Sequence, residues 1–249
     1  MWHDDPSGER RIGLIVPSSN TVVEVDFARV LPAGVTLHTA RMFLAETTEA
    51  AERAMITRYL PRAAEDLASL RPHVLAFACT SGGAILGAEG EATLIEDLAR
   101  ATGAIVVSTN EAVKSRIERH HPKRVAVITP YVDELNDHIR AGLEGRGLNV
   151  VRVKGLGITE NFALASVPPA RIVAFAEEQL AGVDFDLLFV SCTNFRGLAA
   201  RPSLLERFGV PVITSNQATI EGALEVLGLP RDGGKGIGTR TDATAPTLV

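Results

Sequence analysis

The sequence lacks the features that define several large classes of protein. It holds only 2 cysteines in 249 residues, at positions 79 and 192, which excludes the dense disulfide framework of a small secreted domain. No apolar run approaches the roughly 18 residues that cross a membrane. The N-terminal stretch MWHDDPSGERR is polar and has no apolar signal-peptide core. We therefore expect a cytoplasmic protein with two free thiols.

Charge runs and cofactor motifs are equally sparse. The net charge of -5 is not offset by any basic run, so we expect neither a nucleic-acid partner nor a membrane partner. The 6 histidines are scattered without metal-ligand spacing. No GxGxxG follows a strand, GxSxG is absent, and the GGKGIG at 233–238 has no strand before it. The sequence thus predicts a protein that works without a metal or a nucleotide cofactor.

What the sequence does contain is a repeated alternation of short apolar runs with longer helical patterns. Apolar, β-branched runs predict strands at 11–16, 35–43, 74–78, 104–107, 125–129, 148–153, 187–191 and 210–214. Helical spacing predicts helices at 49–70, 84–101, 131–146, 168–182 and 215–227. Strands that alternate with helices indicate an α/β fold with open, mostly parallel sheets.

Three motifs recur along the chain in the same order. RIGLIVPS at 11–18 resembles RVAVITPY at 124–131, and LAFACTS at 75–81 resembles LFVSCTN at 188–194; both pairs are offset by 113 positions (192 minus 79 for the cysteines). GAIVVSTNEA at 103–112 resembles GVPVITSNQA at 209–218. We therefore predict two α/β halves, 8–118 and 119–228, related by a pseudo-twofold axis with a cleft between them. Residues 229–249 have little apolar content and are predicted to be a flexible tail.

Each half places one cysteine directly after an apolar strand. Cys79 lies in AFACTSGG and Cys192 in FVSCTNFRG. Ligands of open α/β sheets bind beyond the carboxyl ends of the strands, so a pseudo-twofold axis would bring both thiols to one cleft. A cysteine at a helix start has a lowered pKa, and the backbone amides there bind carboxylates. The alternative is that both are inert core residues, because free cysteine is usually buried.

Three further residues are candidates for the same cleft, each with a structural alternative. Asn20, in PSSNT at 17–21, suits a helix cap and can also point a donor into the cleft. Tyr131 follows the equivalent strand of the second half and could pack or contact a ligand. Asn161 lies in a predicted loop and suits a turn. The acidic residues of the helix at 49–70 are interpreted as a solvent-facing surface.

Together, PSSNT, the CTS and SCTN turns and the late PVITSNQA resemble the aspartate/glutamate racemase superfamily, most closely its maleate cis–trans isomerase branch. The resemblance extends from about residue 11 to 227. It implies a site between two α/β halves, no cofactor, a small dicarboxylate substrate and a homodimer. It also implies roles for nine residues: Cys79 as nucleophile, Cys192 assisting from the other face, Asn20, Tyr131 and Asn161 in substrate binding, and Thr80, Ser81, Thr193 and Asn194 holding the substrate carboxylates.

One stretch departs from that pattern. Where the resemblance implies an aromatic residue and a histidine after PVITSNQA, this chain has Glu221 and Gly222, which bears on the wall of the cleft. No arginine is clearly placed at the strand ends, and Arg196 is the nearest candidate. We therefore expect neutral donors to hold the substrate, leaving one carboxylate free to rotate.

The expected activity is the conversion of maleate to fumarate through a cysteine adduct, and three alternatives stay open. A racemase of an acidic amino acid or a hydantoin would also use two opposed cysteines. A decarboxylase of the arylmalonate type resembles the fold, but it manages with a single second-half cysteine and leaves Cys79 without a role. A cytosolic protein that binds a small acid without catalysis would tolerate serine at both positions.

Overall fold

The computed structural model describes residues 8–230, and it forms two parallel sheets of four strands each. The first part of the chain forms β1 (Arg10–Pro17), α1 (Val23–Val30), β2 (Val35–Met42), α2 (Glu49–Ala54), a π-helical turn (Met55–Tyr59), α3 (Leu60–Ala68), β3 (Val74–Phe77), α4 (Thr80–Thr102), β4 (Ile105–Ser108) and α5 (Thr109–Glu118). The second part forms β5 (Val125–Thr129), α6 (Asp133–Glu144), β6 (Val150–Gly155), α7 (Asn161–Leu164), α8 (Pro169–Leu180), β7 (Leu187–Val190), α9 (Gly197–Phe208), β8 (Val212–Thr214) and α10 (Ser215–Val226).

The two sheets have the same topology. Their strand orders are β2-β1-β3-β4 and β6-β5-β7-β8, and every pairing is parallel. The predicted α/β fold with two open parallel sheets is therefore confirmed, and all eight predicted strands are present. The boundary at 118/119 remains a prediction, and from residue 231 onward the predicted tail lies outside the described residues.

The central strands are buried because helices cover both faces of each sheet. β3, β5 and β7 are buried at every position, which explains why their sequences are continuous apolar runs without alternation. One apolar cluster contains Ile12 and Leu14 of β1 together with Val127 and Ile128 of β5. The two sheets thus share one apolar cluster, which fixes the carboxyl ends of their strands relative to each other.

The helices differ more from the prediction than the strands do. The sequence did not predict four helices: α1, α5, α7 and α9. α1 and α7 are short, and α9 carries Pro202 within it, so none of these three shows a long periodic pattern. Across residues 8–230, none of the helices combines the length and apolarity that a membrane crossing requires.

Candidate active site

Cys79 lies in the turn that joins β3 to α4. Four buried residues of β3 end at Phe77, and α4 begins at Thr80, so the cysteine takes the N-cap position. Its sulfur accepts a hydrogen bond from the Gly82 amide at 3.4 Å. A Cβ atom at Gly82 would lie 2.9 Å from that sulfur, so only glycine allows the helix to begin this close to the thiol. The cysteine side chain is directed into the protein, and the residue is only 3% exposed.

Cys192 takes the equivalent position after β7. Its backbone has a φ of 109°, which is rare for a residue with a side chain, and the conformation aims the thiol inward. The sulfur accepts the Asn194 amide at 3.2 Å, and the Tyr131 hydroxyl lies close enough to favour the Cys192 thiolate. Tyr131, which follows β5, is 2% exposed. The second thiol therefore has a phenol as its polar partner.

Hydrogen bonds between the halves bring the two cysteine turns together. The Thr80 hydroxyl donates to the Ser215 hydroxyl oxygen at 3.0 Å, and the backbone amide of Cys192 donates to the same oxygen at 3.0 Å. The Thr193 hydroxyl donates in turn to the Ala78 carbonyl at 3.0 Å. The residue next to each cysteine is thus bonded to the other half, as expected for one shared cleft.

Asn20 lies in the turn before α1 and bridges the two halves. Its side-chain oxygen accepts the amides of Val22 and Val23 at 3.0 and 3.1 Å, which satisfies the start of α1. Its side-chain nitrogen donates to the Thr193 hydroxyl at 3.1 Å. Asn20 thus orders the turn before α1, whose N-cap residue is Val22, and its contact with a substrate stays a prediction.

Asn161 and Asn194 form a second bridge between the halves. Asn194 donates to the Asn161 carbonyl at 2.6 Å and accepts the Thr21 amide at 3.0 Å. Asn161 donates its side-chain nitrogen to the Ser19 hydroxyl at 2.7 Å. Asn161 is the first residue of α7 rather than a loop residue, and both asparagines are buried. All nine predicted site residues therefore lie at or next to the junction of the two halves.

The hydroxyl groups of that junction are already engaged. Thr80 and Thr193 donate to protein oxygens, and Ser81 donates to the Glu52 carboxylate. Their predicted contact with substrate carboxylates stays a prediction. The backbone amides at the start of α4 are further donors, because the first amides of a helix have no partner within it.

Glu52 is the functional residue that sequence reasoning missed. The acidic residues of 49–70 were predicted to face solvent, and for Glu52 this is wrong: it is 0% exposed. The Cys79 thiol donates to its Oε2 atom at 3.4 Å, and Ser81 donates to its Oε1 atom. Burial raises the pKa of Glu52 to about 7 despite the two hydrogen bonds. The sequence signal was its position three residues before the buried Met55, on the same face of the helix.

The prediction of thiols with lowered pKa values is also wrong. Burial, followed by the negative charge of Glu52, raises the pKa of Cys79 well above its usual value, and the Gly82 amide offsets only part of this. Burial raises the pKa of Cys192 to about 12, although the Tyr131 hydroxyl and the Asn194 amide favour its thiolate. Both cysteines are therefore protonated thiols at neutral pH.

The remaining candidates lie away from the thiols. Glu221 pairs with Arg116, Oε2 to Nε, at 2.6 Å where α5 packs on α10, so it does not replace an aromatic residue beside the cysteines. Arg196 is exposed and donates to the Ala165 carbonyl at 2.7 Å. Within residues 8–230 no group of three or more histidine, cysteine, aspartate or glutamate side chains is arranged to hold a metal ion.

Comparisons with known proteins agree with this geometry. A family model described as arylmalonate decarboxylase matches residues 12–238. The chain is 29% identical over 234 residues to the maleate isomerase of Nocardia farcinica, covering 90% of this chain and 92% of that protein. It is also 29% identical over 218 residues to the arylmalonate decarboxylase of Bordetella bronchiseptica, with 87% and 90% covered.

A solved structure extends the similarity to three dimensions. It is the Nocardia farcinica maleate cis–trans isomerase, a cysteine-to-serine mutant that holds a covalently bound succinylcysteine intermediate. The TM-score is 0.83 at 26% identity, with 90% of this chain and 94% of that chain covered. The similarity thus includes an enzyme in which a cysteine bonds covalently to a four-carbon diacid.

Proposed function

The chain belongs to the arylmalonate decarboxylase family, and within it we propose a maleate isomerase that forms fumarate through a covalent adduct of Cys79. The observation that carries this proposal is a pair of buried strand-end thiols at one junction, each with a different polar partner. Cys79 contacts Glu52, whereas Cys192 contacts Tyr131. The similarity to maleate isomerases over about nine-tenths of the chain supports the same reaction.

The chemistry requires that a double bond become temporarily single. The Cys79 sulfur adds to one alkene carbon of maleate and forms a C–S bond. The π electron pair moves to the other alkene carbon and into its carboxylate, so the central bond can rotate. When the pair returns, the C–S bond breaks and the alkene re-forms in the trans arrangement. Covalent catalysis of this kind replaces one inaccessible rotation with two accessible steps.

The negative charge that develops on the carboxylate needs donors already in place. The donors that we propose are backbone amides at the start of α4 and the second N–H of the side-chain amides of Asn20, Asn161 and Asn194, each of which already donates once to a protein oxygen. We propose that the protonated Cys192 thiol and Tyr131 hydroxyl face the substrate from the side opposite Cys79. This pair can give a proton to the second alkene carbon and take it back.

A racemase of an acidic amino acid is the alternative reading, and one observation counts against it. A racemase needs an acid/base group on each face of the reacting carbon, with interchangeable tasks. Here the thiols have unequal partners, a carboxyl group for Cys79 and a phenol for Cys192. That inequality suits a reaction with one nucleophile and one proton donor.

The proposal includes the cellular setting. We place the enzyme in the cytoplasm, where thiols stay reduced, and expect it to act as a homodimer on a small dicarboxylate. Size-exclusion chromatography with light scattering would report the oligomeric state directly.

Proton NMR of maleate mixed with the reduced protein tests the proposed function. Wild type should form fumarate, Cys79→Ala should form none, and Ser69→Ala, an exposed position, should match wild type. A folded, reduced wild type that leaves maleate unchanged would contradict the proposal. L-aspartate and L-glutamate incubated in D2O with chiral analysis would then test racemisation. Maleate binding that survives serine at both cysteines, without turnover in wild type, would indicate a binding protein.

A further inference from the structure

The reaction described so far leaves one buried titratable group unused, the carboxyl group of Glu52. It touches the nucleophile directly, since the Cys79 thiol donates to its Oε2 atom at 3.4 Å. Its other oxygen accepts the Ser81 hydroxyl. Among the described residues, no arginine, lysine or histidine forms an ion pair with Glu52. A fully buried carboxyl group without a cation is costly to ionise. Its position beside a reactive thiol therefore indicates a functional role.

Helix α2 fixes the position of this carboxyl group. The Thr48 hydroxyl caps the helix by accepting the Ala51 amide at 3.3 Å. Glu49 and Arg53 pair with each other on the outer face, which turns Glu52 toward the protein interior. A Cβ atom on Gly82 would lie 3.2 Å from Oε2 and 2.9 Å from the Cys79 sulfur. Glycine at this position therefore leaves the thiol and the carboxyl group in contact.

We propose that Glu52 is the base that accepts the Cys79 proton as the sulfur adds to the alkene. The step rests on the proposed isomerase function. The S–H bond breaks, its proton goes to Oε2, and the sulfur electron pair forms the C–S bond. On elimination the C–S bond breaks, and the proton returns from Glu52 to the sulfur. Atoms and charge balance in both directions, and no co-reactant is consumed.

The properties of the two groups fit this exchange. Burial and the carboxylate charge hold the pKa of Cys79 well above its usual value, so the free thiolate is scarce at neutral pH. Burial raises the pKa of Glu52 to about 7, close to the pH at which a general base works best. Proton transfer to Glu52 becomes favourable only as the sulfur bonds to carbon, which protects the thiol in the absence of substrate.

Other charged or titratable groups around Glu52 do not replace it. Across the cleft, Cys192 and Tyr131 have raised pKa values and stay neutral near pH 7. On the outer face of α2, Glu49 binds His138 of α6 and Arg53, and these contacts lower the pKa of Glu49. From α4, the neutral Ser81 hydroxyl donates to the carboxyl group. A rise in reactivity near pH 7 would therefore report Glu52.

The test measures the reactivity of Cys79 with iodoacetamide as a function of pH, in a Cys192→Ser background that leaves one thiol. The rate should rise through about pH 7 with Glu52 present. Glu52→Gln removes both the base and the charge that opposes thiolate formation. We expect it to lose the rise near pH 7 and to show a lower thiol pKa by ultraviolet titration. In the Cys192-containing enzyme, Glu52→Gln should reduce kcat/KM for maleate by at least about 100-fold at pH 7.

Glu52→Gln should thus increase the thiolate fraction of Cys79 while it decreases turnover of maleate. A purely structural role for Glu52 would not produce these opposite changes. Glu52→Asp should restore part of the rise, and Glu65→Gln, an exposed acidic residue of α3, should match wild type. A wild-type profile without a rise near pH 7, or a folded Glu52→Gln enzyme with kcat/KM within about threefold of wild type, overturns the proposal. If the reaction of Cys79 with iodoacetamide depends on Glu52 but maleate is not converted, the isomerase function is wrong and the assignment of Glu52 as base stands.

Discussion

The Thr80 hydroxyl donates a hydrogen bond to the Ser215 hydroxyl oxygen at 3.0 Å. This hydrogen bond joins the turn after Cys79 to the start of α10 in the other half. The Ser215 oxygen also accepts the backbone amide of Cys192 at 3.0 Å. One buried atom therefore orders both cysteine turns. The relative position of the two cysteine turns therefore depends on this contact.

Ser215→Ala should destabilise the protein and weaken catalysis together. It leaves the Thr80 hydroxyl and the Cys192 amide without an acceptor, at about 1–3 kcal/mol for each unsatisfied group. Urea denaturation should show a loss of about 2–6 kcal/mol in the free energy of unfolding. Ser69→Ala serves as the control, because its hydroxyl is exposed and bonds only to the Asp66 carbonyl. Equal stability of both variants would contradict the linking role of Ser215.

Cys192→Ser should trap the adduct on Cys79. A serine hydroxyl ionises far less readily than a thiol, so it cannot efficiently take a proton back from the succinyl carbon. We expect turnover to fall by about 100-fold or more, while mass spectrometry finds one added maleic acid on the Cys79 peptide. The double variant Cys79→Ala, Cys192→Ser should carry no adduct. An adduct on another residue, or none at all, would rule out Cys79 as nucleophile.

Two of the buried acidic residues, Glu52 and Asp26, predict how the free energy of unfolding changes with pH. Burial raises the pKa of Glu52 from its ordinary 4.5 to about 7 and that of Asp26 from 3.8 to about 6. The folded state then binds more protons than the unfolded state. The stabilisation from these two carboxyl groups is therefore fully present below their ordinary pKa values, and it is lost as pH rises through their pKa values in the folded protein. For Glu52 alone, the free energy of unfolding should decrease by about 3 kcal/mol between pH 4.5 and 7.

Chemical denaturation of wild type and Glu52→Gln at pH 5 and pH 7.5 measures this effect. Wild type should be less stable at the higher pH, and Glu52→Gln should show a smaller decrease. Asp26→Asn should remove part of the remaining slope. A wild-type protein that becomes more stable over this interval would show that neither carboxyl group is held protonated.

Gly155→Ala should displace Tyr131. A Cβ atom at Gly155 would overlap the Tyr131 carbonyl oxygen and the Thr129 hydroxyl, which are part of the β5–α6 turn. We expect a loss of about 1–3 kcal/mol in stability from overpacking. Turnover should fall by about 100-fold, since small displacements of reacting groups are costly. Gly142→Ala in α6 meets nothing within 4 Å and should gain about 0.5–1 kcal/mol. Similar activity in both variants would separate Tyr131 from catalysis.

The fold could be predicted from local sequence because its strands are buried and repeated. Continuous apolar runs such as VLAFA at 74–78 indicate strands covered on both faces, and the 113-residue offset relates the two halves. Both cysteines follow from the same reasoning, since each ends such a run. Neither α9, interrupted by Pro202, nor the single turn α7 carries enough periodicity to be recognised.

The role of Glu52 could not be predicted because it arises from tertiary contact. In EAAERA the spacing of Glu52 from Met55 indicates the buried face of the helix, but nothing local shows that Glu52 meets the Cys79 thiol. The raised pKa of Cys79 has the same origin. Helix-start geometry favours a thiolate, but burial and the neighbouring carboxylate, both set by packing, outweigh it.

The burial of both thiols predicts how the protein responds to oxidants. Oxidants attack thiolates at exposed positions, whereas Cys79 and Cys192 are 3% and 5% exposed and protonated. The resting protein should therefore survive peroxide that would inactivate an enzyme with a permanently ionised cysteine. The Cys79 sulfur loses its proton only while substrate reacts, so peroxide should inactivate the enzyme faster during turnover than at rest.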